Sequence, residues 1–149
     1  MGLYDLRNYR SKDQLVVMEA LDRAGTCIFC PENLAADPDH LILHETTNWV
    51  VTKNKFPYKD TRLHILLVPR THVEDILDLD ADAKGEYWPL LDWVKKKFDL
   101  DFFAVGMRTG DFHRTGSSIA HAHIHVIVGD VEDPAHEPVR FKMSSRPAV

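Results

Sequence analysis

No stretch of the 149-residue chain is apolar for long enough to span a bilayer. The N-terminal MGLYDLRNYR lacks the apolar centre of a secretory signal, and Leu6 breaks the pattern for myristoylation. Basic residues are in the minority: the net charge is −5, which argues against a face for a nucleic-acid polymer. Any phosphate ligand must then be held locally, by backbone N–H groups, hydroxyls and imidazoles, and not by a long-range positive field. Cysteine is scarce too, with two in the chain. These features together suggest a cytoplasmic protein without a membrane partner, where thiols stay reduced, so the pair needs an explanation other than a structural disulfide. There is no internal repeat and no low-complexity segment. A composition of 44% apolar and 28% charged residues over this length fits one domain with a buried core.

What is abundant is histidine, and three of the nine sit in HAHIHVIV, residues 121–128. Alternation of polar and apolar residues reads as a strand, with His121, His123 and His125 on one face and Ala122, Ile124 and Val126 turned to a core. Water-facing strand positions ordinarily carry Thr, Lys or Glu, so one titratable residue type repeated three times points to chemistry.

The rest of the chain reads as α+β. Ser11 with Gln14 three residues later forms a capping box, and Gly25 marks the stop of an N-terminal helix. CIFCP and an acidic connection follow. Strands are expected at 41–46, 48–53, 63–69, 101–108 and 121–128. From Asp80 to Phe98 one stripe collects Ala83, Tyr87, Leu90, Leu91, Val94 and Phe98, which predicts a long helix with a kink or a break at Pro89. GDFHRTGSS (110–118) reads as a glycine-punctuated loop and the Pro-containing tail from Gly129 as extended or partly disordered. Strands gathered around one main helix, without regular β-α alternation, predict a mostly antiparallel sheet.

GSSIAHAHIHVIV resembles the His-x-His-x-His signature of the histidine triad (HIT) superfamily of nucleotide hydrolases and transferases. LHILLVPRTH is similar to the family's strand ending in Val-Pro and followed by a histidine-containing turn, and CIFC to a pair that many members carry. The resemblance covers roughly residues 27–128, leaving 1–26 as a helical extension and 129–149 as a tail. It implies a HIT-like fold with about five antiparallel strands and one long helix, usually paired into a homodimer. Tyr87, Trp88, Trp93 and Phe98 crowd the helix that such a dimer would use. It also implies that His123 attacks the α-phosphorus of a nucleotide to form a nucleotidyl-histidine intermediate, with His125 donating to a phosphate oxygen. Neutral imidazole is a good nucleophile near pH 7, and a covalent intermediate divides one difficult displacement into two easier ones.

By the same resemblance the glycine-rich loop contacts phosphate. Gly116 lets the backbone approach an anion, Ser117 and Ser118 supply hydroxyls, and Arg108 stands near the family's usual Asn. Ser117 replaces a common Gln, and the strand exits as VIVGD without the usual Pro-Arg. In NKFPY (54–58), Asn54 matches a ribose-binding position and Phe56 a base contact. NKFPY and Ser117 look more like the diadenosine tetraphosphate phosphorylase branch, although Asn before Phe-Pro is also ordinary turn chemistry.

Cys27 and Cys30 form C-x-x-C, half of a zinc site or a redox pair, and the redox reading lacks its strand-to-helix context. Zinc-bearing members complete a tetrahedral, structural site with histidines that map onto His64 and His121. His40 and His44 are alternative ligands, and two reduced thiols without metal is the plain alternative. The leading expectation is hydrolysis of adenine nucleotide phosphoanhydrides or phosphoramidates at the α-phosphate. The competitors are a phosphorylase, an open catalytic zinc site on His121 and His123, and a nucleotide-binding regulator without turnover.

Overall fold

The structure, a computed structural model, describes residues 2–147; residue 1 of the expected extension and residues 148 and 149 of the expected tail lie outside the described residues. Helix α1 spans Lys12–Ala24. Ser11 caps it by accepting the Gln14 N–H, Gln14 Oε1 in turn accepts the Arg10 N–H, and Gly25 closes it in the left-handed conformation. A short helix α2, Pro31–Ala36, starts where Cys30 caps and Pro31 takes the first helical position, so the connection after CIFC is partly helical.

Five strands follow: β1 (Ile42–Glu45), β2 (Trp49–Lys53), β3 (Thr61–Pro69), β4 (Ala104–Met107) and β5 (Ile124–Gly129). They form one antiparallel sheet in the order β1-β2-β3-β5-β4. Helix α3, Ala81–Lys97, lies between β3 and β4, capped by Asp80, and runs unbroken through Pro89. The residue whose carbonyl the proline ring would crowd is Gly85, one turn earlier. No helix among the described residues is long and apolar enough to cross a membrane.

Strand alternation sorts the side chains into two cores. Trp49, Val51, Ile65, Leu67, Ile124, Val126 and Val128 meet Ala83, Leu90 and Val94 of α3 on one face. Val50, Leu66 and Val68 point the other way, against Tyr4, Met18, Phe29 and Leu34 from the N-terminal segment, α1 and α2. The continuous apolar run of β3 is therefore a strand buried on both faces. The histidine face is covered by protein: His121, His123 and His125 are all buried. The strand itself begins only at Ile124, because residues 121–123 bend toward the segment after β3, as the Ala122 N–H bond to the Val73 carbonyl shows. The expected fourth strand, likewise, shrinks to residues 104–107, and the glycine-punctuated loop holds a single helical turn, α4 (Phe112–Thr115).

Both termini are tied to this face. The Asp5 N–H bonds the Ser118 carbonyl, and Tyr4 pairs with Ile119. The tail has no regular structure but returns across the sheet: Phe141 lies over Gly106, where a Cβ would come within 2.5 Å of its ring, and the Ser145 N–H bonds the Arg114 carbonyl.

Asp5 anchors the N-terminal segment next to the loop before β5. Its carboxylate accepts two hydrogen bonds from the Arg7 guanidinium, at 2.9 and 2.6 Å, and lies 3.2 Å from His113 Nδ1. The Arg7 side-chain hydrogen bond, opposed by burial and helped by the Arg7 N–H and His113, lowers its pKa to about 2. A depressed carboxylate contributes stability that is present above its unfolded pKa of about 3.9 and is lost as pH falls through about 2. Urea midpoints measured from pH 5 to pH 2 should fall less steeply for Asp5→Asn than for the parent. The two curves should be furthest apart at pH 5 and converge at the acid end; parallel curves would show that Asp5 is not a stabilising ion pair.

Candidate functional site

The bend before β5 aims successive imidazoles at different partners. His121 Nε2–H donates to the Pro69 carbonyl at 2.7 Å, which leaves Nδ1 as the lone-pair nitrogen. That nitrogen faces Cys27 Sγ at 3.4 Å and Cys30 Sγ at 3.9 Å, and Cys30 Sγ is 3.4 Å from His72 Nδ1. Four potential ligand atoms, from Cys27, Cys30, His72 and His121, lie within 4.8 Å of one another. Donors on a tetrahedral zinc with bonds of about 2.0–2.3 Å stand about 3.5 Å apart, close to these separations. The group could hold a metal ion, and the tautomer of His121 is already the ligating one. Burial, with Cys30 adding to it, pushes the Cys27 thiol up to about 12. A cation at the cluster would offset the cost of ionising this thiol.

His64, the ligand expected from the Val-Pro strand, is not part of this group. It sits at mid-strand, opposite Ile127, and its ring lies 2.8 Å from His125. His72, three residues beyond the strand-ending Pro69, takes the place instead, because the chain turns there toward Cys30. His40 pairs with Asp37 at 2.8 Å, and His44 stacks on Trp93 at 4.3 Å, so neither reaches the thiols.

The next imidazole, His123, donates from Nδ1 to the His121 carbonyl at 2.9 Å, which fixes the lone pair on Nε2. Phe29 packs edge-on against the ring at 4.8 Å. Burial lowers its pKa to about 4, the His121 carbonyl opposing and Arg108 adding to the fall, so the ring is neutral at pH 7. His125 is set by a relay. The Tyr58 N–H donates to His64 Nδ1 at 3.1 Å, so the His64 proton is on Nε2 and is given to His125 Nδ1 at 2.8 Å. His125 therefore carries its own proton on Nε2. Burial, then His123 and His64, holds it well below the usual imidazole range, and burial takes His64 to about 3. Two neutral imidazoles thus stand side by side, ring centres 4.8 Å apart, one presenting a lone pair and the other an N–H.

Both line a cavity of about 1330 Å³, large enough for a nucleotide, whose walls also include Asn54, Phe56, Arg108, Gly116 and Ser118. Asn54 Oδ1 accepts the Phe56 N–H at 2.9 Å, so the turn occupies its oxygen and its amide nitrogen is left toward His64. Ser117 is not on the wall: its hydroxyl turns inward and donates to the Ile119 carbonyl at 3.1 Å. The Gly116 N–H is taken by Ser145 Oγ at 3.0 Å, so the tail already occupies this anion-facing donor. Sequence reasoning missed His72, Tyr58 and the terminal residues Arg10, Phe141 and Lys142. His72 had a signal in the VPRTH spacing. The terminal residues had none, since only the folded chain brings them to the cavity.

A five-stranded α+β sheet with a row of buried neutral imidazoles along one strand, and a two-thiol, two-imidazole cluster beside it, defines the class. The HIT domain model matches residues 36–132, and the chain belongs to the HIT domain family. An uncharacterised HIT-like protein of Saccharolobus solfataricus is 31% identical over 111 residues, covering 72% of this chain and 77% of its own. Among solved structures, a histidine triad nucleotide-binding protein from Candida albicans superposes with a TM-score of 0.63 at 20% identity, covering 83% of this chain and 86% of that one. A diadenosine triphosphate hydrolase from Plasmodium falciparum gives 0.54 at 22% identity, covering 65% of each chain.

The two candidate ligands separate cleanly by mutation. His72→Ala should lower bound metal in elemental analysis to below half of the parent and lower the thermal midpoint by roughly 5–10 °C, taking 2–4 °C per kcal/mol at this size. His64→Ala should keep the parent's metal content. The reverse pattern would return His64 to the metal.

Proposed function

We propose that the protein is a nucleotide hydrolase that works through a nucleotidyl-His123 intermediate, on adenine nucleotide phosphoanhydrides or phosphoramidates. The observation that carries this is the pair of fixed tautomers: a lone pair on His123 Nε2 beside an N–H on His125 Nε2, both at one cavity wall. His123 Nε2 attacks the α-phosphorus as the bond to the leaving group breaks. The His125 N–H meets the charge that develops on the departing or non-bridging oxygen. Water then adds to phosphorus, the N–P bond breaks, and the electron pair returns to His123, releasing the nucleoside monophosphate. Because both rings are neutral, no proton must leave the nucleophile before attack. Asn54 and Phe56 hold the nucleoside end, and Ser118 lines the phosphate end.

The ion for the Cys27, Cys30, His72, His121 group is zinc, in a closed and structural role. Two thiolates and two imidazoles are a donor set suited to tetrahedral zinc. The group lies at the end of the histidine row, holding the N-terminal segment and the turn after β3 against the bend that carries His123.

The protein forms a homodimer. Tyr87, Trp93 and Phe98 pack on the chain's own core, but Trp88 is 71% exposed on α3, and the edge strand β4 leaves Val105 and Met107 at 42% and 48%. An uncovered apolar edge strand is a pairing surface. Light scattering at micromolar concentration should give twice the chain mass, and a single-chain mass would remove the dimer.

The chemistry is tested by trapping. Brief incubation with diadenosine tetraphosphate should add one adenylyl mass to the parent, and digestion should place it on His123. His123→Ala should carry no adduct and lose about a thousandfold or more in turnover while still binding nucleotide. Parent protein that binds nucleotide yet never forms the adduct, with any phosphoanhydride or phosphoramidate, would leave a binding module.

A further inference from the structure

Three cations from three distant parts of the chain reach the same cavity: Arg10 just before α1, Arg108 just after β4, and Lys142 in the tail. The first and last lie outside the residues matched by the family model. Arg10 sits over the Tyr58 ring at 4.4 Å and donates to the Phe56 carbonyl. Arg108 sits over the Phe141 ring at 3.9 Å, donates from Nε to the Lys142 carbonyl and from Nη2 to the Tyr58 hydroxyl. Lys142 Nζ donates to Asn8 Oδ1 at 3.2 Å. Every one of these partners is neutral, and none of the three cations has a carboxylate within ion-pair distance among the described residues.

Like charges gathered without counter-charge raise one another's energy. Burial, opposed by Tyr58 and aided by Arg108, disfavours the charged form of Arg10, and burial followed by Arg108, Arg146 and Arg10 does the same for Lys142. The chain as a whole is acidic, so this surplus is local. It is also held in place: Tyr58 and Phe141 fix both guanidinium planes, and Gly106 makes the room in which Phe141 lies. Most telling is Arg108 Nη1, which lies 3.5 Å from His125 Nε2. The relay through His64 puts a proton on that nitrogen, so two donors face one another at 3.5 Å. An anionic oxygen in reach of both would satisfy the two at once.

We propose that Arg10, Arg108 and Lys142 form a second phosphate subsite beside His125, which takes phosphate beyond the α-group. It rests on the nucleotidyl-transfer reading above and deepens it. The anion is either the phosphate chain of the leaving group or inorganic phosphate that replaces water, and the chemistry of recognition is the same for both. If phosphate enters, one of its oxygens bonds to the α-phosphorus as the N–P bond to His123 breaks, and the product is a nucleoside diphosphate. The terminal segments thereby favour substrates with anionic leaving groups over those that release an uncharged amine.

The test compares full-length parent with Arg10→Gln, Lys142→Gln and Arg10→Lys. The first readout is the ratio of kcat/KM for diadenosine tetraphosphate to that for adenosine 5′-phosphoramidate, without phosphate present. Partial misfolding lowers both values alike and leaves the ratio alone. A fall of about tenfold in each Gln variant, the size expected for one charge-assisted contact, with recovery in Arg10→Lys, assigns the subsite to the leaving group. A similar fall in the phosphate-dependent rate of adenylyl-enzyme breakdown, read as loss of ADP, assigns it to incoming phosphate. If neither quantity moves by more than twofold, the subsite is overturned. Calorimetric binding of inorganic tripolyphosphate needs no chemistry at His123. Binding to the parent that weakens about tenfold in the Gln variants upholds the subsite even if no adenylyl-enzyme ever forms, and equal binding by parent and variants overturns it even if one does.

Discussion

His121 is the residue on which the rest of the site depends. Its side chain faces the two thiols through Nδ1 while Nε2–H is held by the Pro69 carbonyl, and its own carbonyl accepts the proton of His123 Nδ1. One residue thus joins the end of β3, the C-x-x-C segment and the lone pair of the His123 ring. Rotating the 121–122 peptide would break the hydrogen bond to His123 and free that ring to change tautomer. The bend at residues 121–123, which interrupts an otherwise regular alternation, is the local form of this constraint. A strand that continued through them would spend the His121 carbonyl on a ladder partner and leave His123 unoriented.

Neutrality of the imidazoles follows from covering them. A polar sheet face open to water would let the rings protonate near their ordinary value, and a protonated ring is no nucleophile. Here Phe29 from the C-x-x-C segment packs on His123, and Tyr58 and Phe141 pack on His125, so burial keeps both rings uncharged. Segments outside the five strands therefore do chemical work by excluding water. The same cover brings cations: six Lys and Arg side chains line the cavity against three carboxylates, Asp37, Asp60 and Glu137. Of the six, Lys55 is spoken for by Asp37 and Asp39.

Legibility of the sequence divided along the range of the interactions. Features set within a few residues were readable: the Ser11 cap with its Gln14 return, the Gly25 stop, the stripe of α3, and the alternation of HAHIHV that sends Ala122, Ile124 and Val126 to the α3 core. Features set by partners far along the chain were not. His64 lies within the Val-Pro strand and His72 just beyond its end, and only the turn after Pro69 decides which one meets Cys30. Ser117 and Ser118 are adjacent and identical, yet one hydroxyl donates to the Ile119 carbonyl and the other residue lines the cavity. The tail was legible as irregular, because its prolines forbid regular structure. That irregular chain can still be fixed in place was not, since the fixing groups, Gly106, Arg108, Gly116 and Asn8, lie from about 25 to more than 130 positions away.

The tail and the N-terminal segment also hold each other. Asn8 Nδ2 donates both to the Ser117 carbonyl and to Ser145 Oγ, and Asn8 Oδ1 accepts from Lys142 Nζ. One buried amide thereby links the start of the chain, the loop before β5 and the end of the chain, with both of its N–H groups and its oxygen engaged. A buried amide with partners on three segments specifies one arrangement of them, because any other leaves a donor or acceptor unsatisfied at a cost of about 1–3 kcal/mol. The imidazoles are oriented by β3, the loop that carries Tyr58 and the bend before β5. The width of the cavity and the charge on its wall are set by how these two segments close over it.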